Sequence, residues 1–187
     1  TPSVMKECFI DSFFEQIHAK FKMTKKAEIT MECNSGTVTS EKLQSYRRAG
    51  VNRLSFGLQS TNNKELKLLG RIHSWEDFLH SYELARKCGY DNINIDLMAS
   101  IPGQTRESYA NSCNQVIALE PEHISAYSLI IEEGTPFYEK YHETPPVDEE
   151  LDRILYADTK EILHQSGYER YEISNYAKPG YACRHNI

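Results

Sequence analysis

Glu32, Gln59 and Asp96 each stand near the end of a strand-like segment: AEITMEC, RLSFGLQS and NINIDLM. Two carboxylates and an amide can hold hydroxyl and amine groups through charge and hydrogen bonds. Arg71, directly behind Gly70, adds a planar guanidinium fork that can grip a carboxylate, worth roughly 1.5–3 kcal/mol as a charged hydrogen bond. Together these four suit a zwitterionic small molecule carrying hydroxyls, an amine and a carboxylate. Each also has a plainer reading. Glu32 could face solvent or pair with a lysine, Gln59 could satisfy a loop backbone, and Arg71 could complement a helix C-terminus. Asp96, inside the apolar run Ile93 to Met98, must be paired or hydrogen-bonded wherever it points, in a ligand site, a salt bridge or a loop clamp.

These residues need elements to bring them together. Strands are predicted over 27–33, 53–59, 92–99 and 123–131, each followed by a turn and a helical pattern. The order β-α-β-α-β-α makes the strands parallel, with all their carboxyl ends on one face. Barrels of this kind place their chemistry there. The predicted helices cover 3–22 (capped by Ser3), a stretch ending at Gly50, a short one near 62–69, one opened by Ser74 and ended by Gly89, one after Thr105, and one over about 148–166. The strand at 123–131 reads as buried on both faces. YERYEIS reads as a short strand, the tail from Tyr176 as loop, and Thr144-Pro145-Pro146 as the clearest linker. Gly57 marks a bulge or a close backbone approach inside its strand.

Length and composition set bounds. The 187 residues fit one domain, and a net charge of −6 disfavours non-specific binding to nucleic acid or anionic membrane. No apolar run reaches a membrane span, and no leader pattern opens the chain. The five cysteines (Cys8, Cys33, Cys88, Cys113, Cys183) form no CxxC or CxxxCxxC. Scattered thiols in a βα chain point to a reducing, cytoplasmic setting. Cys183 and His185 are a weak metal signal by themselves. The 12 tyrosines read as packing, with a flat aromatic ligand the minority alternative.

Longer stretches carry a more specific signal. EITMECNSGTVTSEKL, AGVNRLSFGLQS, LKLLGRIHS, NINIDLMASIPGQT, PEHISAYSLIIEEGTPF and YERYEISNYAKPGYACRHN together resemble the radical S-adenosylmethionine family of oxygen-independent coproporphyrinogen III oxidase-like proteins. GRIH, with His73, resembles the haem-chaperone (HemW) branch. The resemblance spans essentially the whole chain. It implies an α/β fold, a partial (β/α)6 TIM-like barrel truncated here to about four βα units. It implies S-adenosylmethionine lying across the strand ends and a [4Fe-4S] cluster held by CxxxCxxC outside this chain. In that reading Thr1 faces the methionine amine, Glu32 the nucleoside side, Arg71 the methionine carboxylate and Asp96 the ribose or adenine end, with Gln59 a further contact. No residue here is assigned to catalysis or to a metal.

The resemblance further implies haem or porphyrin as ligand and an acceptor protein as partner, with membrane contact only through a partner. The alternative it carries is oxidative decarboxylation of coproporphyrinogen III. Two βα units are expected before Thr1 and a helical domain after residue 187, with 1–187 an incomplete core and 145–187 leading toward the missing part. An unpaired sheet edge is then expected at strand 27–33. His185-Asn186 match the start of a family HN motif, and Ser100 stands where glycine is common.

Overall fold

The computed structural model describes residues 2–143 and 147–187. Thr1 and the linker assigned to Thr144-Pro145-Pro146 lie outside the described residues. A 3-10 turn, Pro2–Val4, precedes helix α1, Glu7–Lys20. There follow β1 (Thr30–Cys33), α2 (Ser40–Ala49), β2 (Arg53–Gln59), α3 (Asn63–Leu68), α4 (Trp75–Lys87) and β3 (Ile93–Ala99). The second half holds α5 (Arg106–Ile117), β4 (His123–Ser128), α6 (Pro136–Tyr141), α7 (Glu149–Gln165), β5 (Glu169–Arg170) and β6 (Asn175–Ala177). The fold class is that expected: a mixed α/β sheet in the order β1-β2-β3-β4-β6-β5, with β1 to β4 parallel.

Caps and patterning explain the local choices. The Ser74 hydroxyl accepts from Asp77 N while Asp77 accepts from Ser74 N, a reciprocal cap that starts α4. Thr105 and Ser108 do the same for α5. Gly50, at φ 102°, ends α2 in the left-handed region where a side chain would be strained. Along the strands, Leu54, Phe56, Leu58, Ile93, Ile95, Leu97 and Ile124 are fully buried on the face covered by helices. Phe56 meets Phe78 of α4 edge-on, ring centroids 6.1 Å apart. The opposite face of the same strands is polar.

Several details differ from the sequence expectation. Ser3 does not cap α1, whose N-cap is Lys6 without a side-chain bond; the Ser3 hydroxyl instead accepts from Asn34 N and meets Thr37, tying the first turn to the loop after β1. β4 is not buried on both faces along its length: His123 is buried, but Ser125 and Tyr127 on the same face are only half-buried and line a polar cleft. Only Glu169–Arg170 of YERYEIS is strand, and the tail read as loop contributes β6, antiparallel to β4. That pairing joins residues about fifty apart, beyond the reach of local patterning. Among the described residues β1 pairs only with β2, so it forms the sheet edge expected there. No helix among the described residues is long and apolar enough to cross a membrane.

Candidate functional site

The inward-facing residues of β1 to β4 stack in rows set by the strand register. Thr30 pairs with Arg53, Glu32 with Ser55, Ser55 with Asn94, Gly57 with Asp96, and Asp96 with Ser125. They line a cleft of about 430 Å³, closed at the amino ends of the strands by Cys183, His185 and Asn186 of the tail. The cleft is thus polar through its depth, within the size range of small-molecule sites. Its floor holds Arg53, its middle Glu32 and Asp96, and its mouth lies at the carboxyl ends of the strands.

Asp96 is half-buried and accepts from Asn94 Nδ2 at 2.7 Å. Burial pushes its carboxyl above the ordinary range, hydrogen bonds from Asn94 and Ser125 pull it down, and Glu32 and Arg53 oppose each other in smaller measure. Among the described residues neither Asp96 nor Arg53 forms a salt bridge. Arg53 is 4% exposed, its Nη1 lies 3.5 Å from Thr30 Oγ1, and its Nε is buried without a hydrogen-bond partner among the described residues. Glu32 is exposed on the wall of the cleft.

At the mouth, Gly57, Gln59 and Arg71 form one contact. Arg71 Nη2 donates to Gly57 O at 2.9 Å and to Asn34 Oδ1 at 3.3 Å. A Cβ on Gly57 would lie 3.2 Å from both Arg71 Nη2 and Gln59 Nε2, so glycine there permits the close approach. The register with β3 slips between Gly57 and Gln59, and Gln59 sits at φ 77°. Both readings of Gly57, bulge and close approach, therefore hold. A non-glycine residue in the left-handed region costs about 1–3 kcal/mol unless its surroundings over-determine it. Here Tyr127 OH donates to Gln59 Oε1 at 3.2 Å. Behind Arg71, His73 is buried with Nε2 3.3 Å from Leu58 O; burial and then Arg71 lower its pKa. His73 packs against the wall and does not line the cleft.

Tyr127 is the member sequence reasoning passed over. Burial and the Asp96 carboxylate raise its phenol pKa, while Gln59 and Arg71 pull it down, so the ring stands among Glu32, Gln59, Arg71 and Asp96. Its signal was available in HISAYS, where His123, Ser125 and Tyr127 recur with period two. His123 lies below. Its Nδ1 is 2.6 Å from Asn94 Oδ1 and its Nε2 2.6 Å from Tyr171 Oη, an arrangement that a neutral ring satisfies by donating from Nδ1 and accepting at Nε2. Burial, then Arg53, lowers its pKa to about 3.

The loops over the mouth are clamped by one buried carboxylate. Glu65 accepts from Ser60 Oγ at 2.6 Å, Gln104 Nε2 at 3.0 Å and Ser108 Oγ at 3.1 Å, joining the segments after β2 and β3. Ser100, at φ 61°, occupies the left-handed conformation that makes glycine common at such a position, and its hydroxyl donates to Asp152. Of the predicted site residues, Glu32 and Asp96 line the cleft, Gln59 and Arg71 meet at its mouth beside Gly57, and Thr1 is outside the described residues. No three His, Cys, Asp or Glu side chains among the described residues converge as a metal site.

Comparison with known proteins identifies the family and the fold. A family model described as the radical SAM superfamily matches residues 4–116. The heme chaperone HemW of Escherichia coli is 39% identical, aligned over all of this chain and 49% of its own length. That of Bacillus subtilis is 36% identical over all of this chain and 50% of its own length. The chain spans about half the length of these curated relatives. Among solved structures, coproporphyrinogen III oxidase of Escherichia coli, a radical SAM enzyme, superposes with a TM-score of 0.82 at 25% identity, covering 96% of this chain and 42% of that one.

Proposed function

The chain belongs to the radical SAM superfamily, and from that premise we propose that it forms the S-adenosylmethionine-binding part of a haem chaperone. The observation that carries the reading is identity of 31–39% over the whole chain to eight relatives, seven of them named heme chaperones.

The residues fit the sulfonium cofactor. Arg71 is oriented through Nη2, and neither its Nε nor its Nη1 has a partner among the described residues, so the fork is free to receive the methionine carboxylate. Gln59 sits beside it. Asp96 and Glu32 offer acceptors to hydroxyls and amines deeper in the cleft, Asp96 toward the ribose or adenine end and Glu32 toward the nucleoside. Bound there, S-adenosylmethionine supplies a sulfonium–carbon bond that can be cleaved. A [4Fe-4S] cluster finds no ligand set among the described residues, because the cysteines are scattered and do not converge. The partners in this reading are haem and a cytoplasmic acceptor protein.

Calorimetric titration with S-adenosylmethionine tests the site. Arg71→Ala should weaken binding by about 10- to 100-fold, the equivalent of roughly 1.5–3 kcal/mol. Unchanged affinity would remove Arg71, and with it this placement of the cofactor. The fold likeness to coproporphyrinogen III oxidase supports a second reading, oxidation of porphyrinogen propionates. A product assay with reductant separates the two: repeated turnover favours the oxidase, whereas stoichiometric haem retention without product favours the chaperone.

A further inference from the structure

Behind the wall of the cofactor cleft, a line of hydrogen bonds runs from the tail to Asp96 through Tyr171, His123 and Asn94. His123 is 0% exposed and Asn94 2%, and the two are register partners across β4 and β3. Tyr171 directly follows β5, its ring edge-on to the imidazole with centroids 5.6 Å apart. Asn94 and Asp96 line the cleft, whereas His123 and Tyr171 do not.

Counting donors gives this line a direction. Tyr171 Oη accepts from Cys183 N at 3.2 Å and from Asn186 Nδ2 at 3.3 Å. With both lone pairs engaged, its own proton goes to His123 Nε2, 2.6 Å away. The ring proton then sits on Nδ1 and is donated to Asn94 Oδ1, also at 2.6 Å. Burial, and then Arg53, lower the pKa of the ring to about 3, which keeps it neutral. With Oδ1 turned to His123, the Asn94 amide nitrogen donates to Ser55 Oγ at 2.8 Å and to Asp96 Oδ1 at 2.7 Å. The other end of the line demands the same orientation, since an ionised carboxylate only accepts.

We propose that His123 and Tyr171 are positioning residues for the cofactor site, locking the Asn94 amide so that it holds Asp96 ready to accept from a ribose hydroxyl. The inference rests on the reading of Asp96 as the contact to the nucleoside, and names what keeps that carboxylate in place. Without the Nδ1 proton the amide is free to turn and set its oxygen against Asp96 Oδ1, which drives the carboxylate out of position. An acceptor held in place discriminates, because a ligand lacking the hydroxyl leaves it unpaired. The tail residues that close the floor of the cleft therefore also orient its recognition of the sugar.

Calorimetric titration with S-adenosylmethionine and with its analogue lacking the ribose hydroxyls tests this, the readout being the ratio of the two affinities. The wild type should prefer the hydroxylated ligand by about 10- to 100-fold, the worth of a charged hydrogen bond. Tyr171→Phe and His123→Leu should cut that preference to about threefold or less. His123→Asn, whose amide nitrogen can replace the Nδ1 donor, should retain it. A merely structural role would weaken both ligands alike; a ratio unchanged in Tyr171→Phe and His123→Leu overturns the inference and leaves the cofactor reading standing. Nitrogen NMR of the wild type should show His123 neutral and protonated at Nδ1, and an Nε2–H ring would also overturn it. Failure of the wild type to bind either ligand, or a preference undiminished in Asp96→Asn, would overturn the cofactor reading itself. Tyr171→Phe removes a single hydroxyl, so circular dichroism should show it folded and the test stands even if His123→Leu does not fold.

Discussion

The two faces of the parallel strands obey opposite rules within the same residues. On the helix-covered face, Leu54, Phe56, Ile95 and Leu97 have no exposed surface and serve only packing. On the cleft face, Asp96 and His123 are held in a polar interior where burial disfavours their charged forms. A period of two separates them, so stability and ligand chemistry are written into alternate positions and can be altered separately.

Substitutions can break or sharpen that division. The largest effect belongs to the packing face: Phe56→Ala should cost about 3–5 kcal/mol, read as a fall in the denaturation midpoint with the slope unchanged. The cleft face should respond to pH instead. His123 resists protonation down to about 3 in the folded protein, whereas in the unfolded chain it takes a proton near 6.5. The unfolded state then binds more protons below 6.5, so this contribution is complete above that pH and is lost as pH falls toward 3. Each unit of the interval corresponds to about 1.4 kcal/mol. Thermal melts of His123→Gln across pH 7 to 4 should show a shallower decline than the wild type; parallel curves would mean the ring does not carry the effect.

The smallest effect has the opposite sign. Asp96 has a raised pKa, so its charge costs stability as pH rises through its folded value. Asp96→Asn should therefore melt higher than the wild type at pH 7, and the gain should vanish below about pH 3.8, the ordinary value for the group. A loss of stability at pH 7 would show that Asp96 clamps the fold.

What was legible in the chain follows from the range of the interactions. Ser74 and Thr105 announced their helices because a cap is decided within four residues. Glu32, Gln59 and Asp96 were legible because polar groups at the ends of apolar strands have few places to go. Arg71 was legible through its place after a helix stop, but its perch on Gly57 O depends on a bulge that no local pattern announces. Tyr127 and His123 were hidden by the apolar look of HISAYSLII, which masked a polar alternation. β6 was hidden because its hydrogen bonds reach residues far back in the chain.

The tail that floors the cleft also bears on how the protein folds. Glu28, just before β1, accepts from Arg184 N at 3.0 Å and from Cys183 Sγ at 3.4 Å, a clasp between groups 156 and 155 residues apart. Closing so long a loop from an open chain is entropically unfavourable, but once β1 to β4 are paired the remaining gap is short. The clasp is therefore expected to close late, after the sheet has formed. Interactions absent from the folding transition state slow unfolding without hastening folding. Glu28→Ala should therefore speed unfolding while leaving the folding rate unchanged, giving the floor of the cleft the part of a latch on the lifetime of the native state.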